Sequence, residues 1–188
     1  MRDGPRTVVL LLAIIAVAGL SSALGETLSV GLSDIAMITG NVRNNNVARI
    51  VLHVDVPKQV QSARIDFAEL TFPAFLTDTS QAAVSIVTHC AQTAWGRDKV
   101  TWTMPWKRHG GDFDSLSCSW YMALPGRKHP VALDITKTVR SWQRGRNNYG
   151  LFLKRPDAEG DGFLGERERL REALKSARVL FYFTPVKE

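Results

Sequence analysis

Ile50-Val51-Leu52-His53-Val54-Asp55-Val56-Pro57 is the stretch that decides the class of fold. Ile50, Leu52, Val54 and Val56 fall on one side of an extended chain, and Val51, His53 and Asp55 fall on the other. That is the period-two pattern of a half-buried strand. Proline has no amide to give to a strand ladder, so Pro57 ends it. Downstream, Ala63, Ile65 and Phe67 are followed by Leu70 and Phe72, with a change of phase at Ala68-Glu69 that predicts a β-bulge. Further strands are predicted over 84–88, 99–103, 120–124, 131–133, 149–154 and 177–184. Asn44-Asn45-Asn46, Pro125-Gly126, Asn147-Asn148 and Gly160-Asp161-Gly162 punctuate the chain as turns. Seven or more short strands on about 160 residues predict an all-β fold, a β-sandwich with a jelly-roll or Greek-key path.

One or two short helices interrupt this pattern. Over 136–144, Val139 and Trp142 share a face, Asp134 or Thr136 can cap the start, and Gly145 can stop the helix. Over 166–176, Leu170, Ala173, Leu174 and Ala177 form an apolar stripe among Glu and Arg residues. No repeat or linker divides the chain, so residues 26–188 are expected to form a single domain.

The N-terminus predicts export. Arg2 and Arg6 precede an unbroken apolar run over 8–20, and small residues follow over 21–25. These thirteen apolar residues fall short of the about 20 needed to span a bilayer as a helix. Residues 1–25 therefore read as a signal peptide with a small-x-small cleavage pattern at Ala23-Leu24-Gly25. A retained N-terminal anchor is the alternative, and only then is a membrane expected as a partner. Without residues 1–25, which hold Arg2, Asp3 and Arg6, 22 basic residues face 17 acidic ones, a net charge of +5. A basic exported domain suits acidic partners such as uronic-acid polysaccharides, although the charge can equally serve solubility. Cys90 and Cys118 are the only cysteines. Outside the cytoplasm they are expected to form one disulfide, closing a loop of about 28 residues and contributing about 3 kcal/mol. Two buried free thiols are the alternative.

Two segments carry a resemblance to a known family. The first is Trp95-x4-Val100-Thr101-Trp102-x2-Pro105. The second is Leu133-Asp134-Ile135-Thr136-x2-Val139-x2-Trp142-x2-Gly145-x2-Asn148-Tyr149-Gly150-Leu151-Phe152-Leu153-Lys154. Together they resemble the DNRLRE domain, which is similar to carbohydrate-binding module family 96. The likeness runs from about Val47, where 48–57 resembles that family's "R-x-Y-L-x-F-D" strand, to the closing strand over 178–183. It implies a jelly-roll sandwich, a secreted or cell-surface location and non-catalytic work on carbohydrate. The residues themselves read as framework: Trp142 plugs one end of the sandwich, Asn148 turns a corner and Tyr149 starts a strand.

Three groups of residues bear on chemistry. Trp106-Lys107-Arg108-His109 follows Pro105 and pairs an aromatic ring with cationic groups, which suits stacking on a sugar and pairing with its carboxylate. Trp120 and Tyr121 are expected to join it. Asp157-x-Glu159-x-Asp161-Gly162-x-Leu164-x3-Glu168 has the oxygen spacing of a calcium loop, although Pro156 excludes an entering helix, and a solvated acidic turn is the alternative reading. No other cofactor is expected. His53, His89, His109 and His129 form no metal-spaced pair, and no nucleophile elbow or phosphate loop occurs. Asp112 and Asp114 near His109 read as a solvated Gly-rich turn. The expectation is thus no enzyme and no nucleic-acid partner. The chain is read as a secreted module that binds a polysaccharide or cell-envelope glycan, or else as a structural or adhesive surface protein that self-associates.

Overall fold

A computed structural model describes residues 25–42, 44–78, 80, 82–114, 119–156, 163 and 165–186. The fold is all-β, two antiparallel sheets with three short helices among the described residues. Strands β1 (Glu26–Gly31), β10 (Arg178–Thr184), β4 (Arg64–Phe72) and β8 (Val131–Asp134) lie in that order in a four-stranded sheet. The six-stranded sheet has the order β2 (Ile35–Val42), β3 (Asn45–Leu52), β9 (Leu151–Lys154), β5 (Val84–Ala91) and β6 (Phe113–Asp114). Its sixth strand, β7 (Trp120–Ala123), pairs with residues 84–87 of β5. The main core lies between the sheets, where Ile50, Leu52, Ile86 and Leu153 meet Leu70, Leu133, Val179 and Phe181. Helix α1 (Lys58–Gln61) leads into β4. α2 (Thr136–Gln143) closes one end of the core with Val139 and Trp142, and α3 (Arg167–Lys175) buries Leu170, Ala173 and Leu174.

The strand expected over 50–56 begins earlier and ends at Leu52. Beyond it, the Val54 carbonyl accepts from the Asn148 side chain instead of from a neighbouring strand. The bulge expected at Ala68-Glu69 falls at Asp66: Phe183 pairs with Ile65 while Tyr182 pairs with Phe67, leaving Asp66 as the extra residue. The strand expected over 99–103 does not form. Val100 and Trp102 do pack inward while Thr101 and Thr103 are exposed, but they lie in a loop spanning 92–112 that crosses the outer face of the six-stranded sheet. That loop creates a second core, in which Trp95, Trp102 and Trp106 cover Ile38, Val51 and Phe152. Backbone approach is close here: a Cβ on Gly40 would lie 2.1 Å from the Trp102 ring, so β2 accepts that indole only at a glycine.

Cys90 is a buried free thiol whose Sγ lies 3.5 Å from the Thr138 hydroxyl. Cys118, its expected disulfide partner, lies outside the described residues, as does the N-terminal segment over 1–24. Among the described residues no helix is long and apolar enough to cross a membrane.

Candidate functional site: a cationic cleft beside the loop over 92–112

Asp112 organises the site. Its carboxylate accepts hydrogen bonds from the Thr93 hydroxyl at 2.9 Å, the Lys107 amide at 2.7 Å and the Arg108 amide at 2.9 Å. The residue is 7% exposed, so it is a buried latch and not the solvated turn expected from its Gly-rich setting. Burial pushes its carboxyl up, but the Lys107 amide, the Thr93 hydroxyl, the Arg108 amide and the Lys107 charge outweigh this and hold it below the ordinary value. By fixing the backbone at 107 and 108, Asp112 presents both cationic side chains, which are exposed, at the mouth of a cleft.

The opposite wall comes from the end of α2. Gly145 adopts φ +91° and donates its amide to the Trp142 carbonyl, while the Arg146 amide reaches the Ser141 carbonyl. This pair of bonds is the Schellman termination, which needs a left-handed residue at that position. It turns the chain back so that the Arg146 guanidinium donates to Asp114 on β6 at 2.6 Å. Asn148 then bridges the Val54 carbonyl and the Gly150 amide, and Trp95 Nε1 donates to the Tyr149 carbonyl at 2.7 Å. Between these walls lies a cleft of about 420 Å³. Lys107, Arg108 and Arg146 line it together with Thr93, Asn147 and the half-buried Tyr149. Of the nearby carboxylates, Asp112 lines the cleft with its oxygens already engaged by backbone and hydroxyl donors, and Asp114 pairs with Arg146.

The residues singled out from sequence are thus only partly brought together. Lys107 and Arg108 line the cleft. Trp106 is 6% exposed, its indole N–H donating to the Thr101 carbonyl and its ring set edge-on to Phe152, so it supports the cleft from within and has no open face for a sugar. His109 is exposed but not part of the lining. Trp120 and Tyr121 stand apart on β7. Trp120 is on the outer face at 58% exposure, whereas Tyr121 turns against the main core and donates its hydroxyl to the Pro130 carbonyl. Sequence reading missed Arg146, Asn147 and Tyr149 as lining residues. The available signal was the helix-stopping Gly145 followed at once by Arg146.

Of the calcium-loop candidates, Asp157, Glu159 and Asp161 lie outside the described residues. Glu168 stands exposed on α3, paired with Arg167 at 3.1 Å. Among the described residues no group of three or more His, Cys, Asp or Glu side chains is placed to hold a metal ion. Comparison with known family models and with curated proteins gives no match to this chain.

Proposed function

We propose that this chain is a secreted, non-catalytic carbohydrate-binding jelly roll of the DNRLRE and family-96 kind, and that it holds an acidic polysaccharide in the cleft of Lys107, Arg108, Arg146 and Tyr149. The observation that carries this reading is the gathering of three cationic side chains beside a half-buried tyrosine in a cleft of about 420 Å³. A pyranose face suits the Tyr149 ring, and its carboxylate or sulfate suits the two guanidinium forks. Exposed ion pairs contribute only about 0.2–1 kcal/mol each, so useful affinity depends on several contacts along a polymer. Strand order supports the jelly-roll reading: the steps from β1 to β2, β3 to β4, β4 to β5, β7 to β8, β8 to β9 and β9 to β10 each cross between sheets.

Titration of the mature domain with acidic and neutral polysaccharides by calorimetry tests the proposal. Acidic polymers are expected to bind, more weakly as salt rises, and the Arg108→Ala/Arg146→Ala double variant is expected to lose affinity by about tenfold or more. Absence of binding to any acidic polymer, even at low salt, would overturn it.

A second reading, self-association in a surface layer, is favoured by one specific observation. Trp120 and Met122 on β7 are 58% and 43% exposed, and Leu124 just after it is 36% exposed; β7 pairs only with β5 among the described residues. An apolar strand edge of this kind is a pairing hazard unless it is used. Oligomers that dissociate on Trp120→Lys, in a protein that binds no glycan, would favour this reading over the first.

A further inference from the structure

Strand β2 ends the six-stranded sheet on one side and pairs only with β3. In an antiparallel ladder, residues that bond the neighbouring strand alternate with residues whose N–H and C=O point the other way. One bond just before β2 fixes the phase here: the His53 amide donates to the Asp34 carbonyl at 2.8 Å. Ile35 stands opposite Leu52, which places Asp34 opposite His53. The even-numbered residues of β2 therefore bond β3, and Ile35, Met37 and Thr39 direct their backbone groups outward. These same three residues line a cleft of about 540 Å³ along the strand. Among the described residues, no other strand or loop bonds to this edge through its backbone.

The cleft has a wall on each face of the sheet. Arg97, Asp98 and Val100 of the loop over 92–112 form one, where Val100 belongs to the second core. Arg167, Glu168, Arg171 and Leu174 of α3 form the other, where Leu174 belongs to the main core. Arg167 is paired with Glu168, whereas Arg97 and Arg171 are exposed and have no ion pair among the described residues. Outward N–H and C=O groups recur at every second residue of β2, an order that another extended peptide matches. A chain laid there turns successive side chains to opposite faces, one towards Arg97 and the next towards Arg171. We propose that this edge takes an extended acidic peptide of a partner protein, added as a further strand beside β2. Ile35 to Thr39 span about 13 Å, which suits a partner strand of about five residues. A second copy fits less well, because two β2 edges paired about a twofold axis would bring both copies' Arg97 and Arg171 together. The same charges that hold two copies apart admit an acidic strand. This edge shares no lining residue with the cleft of Lys107, Arg108 and Arg146, so it stands independently of the glycan reading.

Residue-resolved hydrogen exchange on the mature protein, with and without a mixed glutamate and valine peptide of about ten residues, tests the proposal. The Met37 and Thr39 amides are expected to exchange fast in the free protein and about tenfold more slowly with the peptide bound, while the Ile38 amide, which bonds β3, changes little. Arg97→Glu/Arg171→Glu alters two exposed side chains and is expected to weaken the peptide by about tenfold or more. A peptide methylated at every backbone nitrogen keeps its charge but loses its donors, and is expected not to bind. Binding that leaves the Met37 and Thr39 amides unprotected, or that survives methylation, would show a charge contact without a ladder and would overturn the proposal. Slow exchange at these amides before any peptide is added would overturn it too, since the edge would then be covered by this chain itself or by a second copy. Absence of peptide binding even at low salt would do the same.

Discussion

The two sheets of this molecule treat their outer faces differently. On β10, Val179, Phe181 and Phe183 are buried while Leu180, Tyr182 and Thr184 are half-exposed, the alternation of a strand with one covered face. On β9 all four residues are buried, and on β3 six consecutive residues are buried, because the loop over 92–112 roofs the six-stranded sheet. The roof is what turns a sandwich into a binding candidate. Its underside is apolar and fixes the loop, and its margin meets the end of α2, where Lys107, Arg108 and Arg146 converge. On the four-stranded sheet, among the described residues, the outward side chains of β10 stay half-exposed.

Removing the aromatic floor of the roof should have the largest effect. Phe152 is fully buried, 5.1 Å centre to centre from Trp106 and 5.5 Å from Phe113. Phe152→Ala is expected to cost about 3–5 kcal/mol in urea unfolding, as large-to-small changes do in well-packed cores. Proteolysis within 92–112 should accelerate in parallel. A cost below about 1 kcal/mol would mean that the roof rests on the sheet without packing against it.

Unlatching the same loop at Asp112 should cost less and depend on pH. In Asp112→Asn an NH2 group replaces one carboxylate oxygen, so one of the three donors now bonded there meets a donor. The expected loss is about 2 kcal/mol at neutral pH. The Asp112 carboxyl is held below its ordinary value in the folded protein. Its contribution is therefore complete above the unfolded pKa of about 3.9 and is lost as pH falls through the folded pKa. The stability difference between wild type and variant, followed by thermal unfolding, should shrink below about pH 4. A difference that stays constant through this range would show that the carboxylate charge does not hold the latch.

The bare sheet was readable apart from its edge strand β1, and the roofed one only partly so. Strands β8 and β10 lie within a residue of their expected bounds, because an uncovered face keeps the period-two pattern visible. The stretch over 99–103 alternates in the same way, with Val100 and Trp102 inward, yet it is a loop laid on a sheet and not a strand within one. Alternating burial reports which side chains face an apolar surface, and says nothing of whether a backbone ladder exists beside them. At the site, Lys107 and Arg108 were legible as adjacent cations, but the burial of Trp106 depends on Phe152, 46 residues away in the chain. Arg146 joins them through a helix-terminating turn and an ion pair with Asp114, a long-range placement that local patterning does not encode.

The smallest effect should appear on the bare sheet, where Phe67 and Tyr182 face each other with ring centres 5.8 Å apart and Phe67 is 38% exposed. Phe67→Thr keeps a residue suited to a strand and removes the ring, so it is expected to cost at most about 1 kcal/mol. A double-mutant cycle with Tyr182→Thr should return a coupling of about 0.5–1 kcal/mol, the worth of an aromatic pair with little further burial. The same cycle between Trp106 and Phe152 should return more, since both rings there are buried against additional partners. Equal couplings would mean that the outer face of the four-stranded sheet is covered in solution too. The contrast between a roofed and an unroofed sheet would then belong to the isolated chain alone.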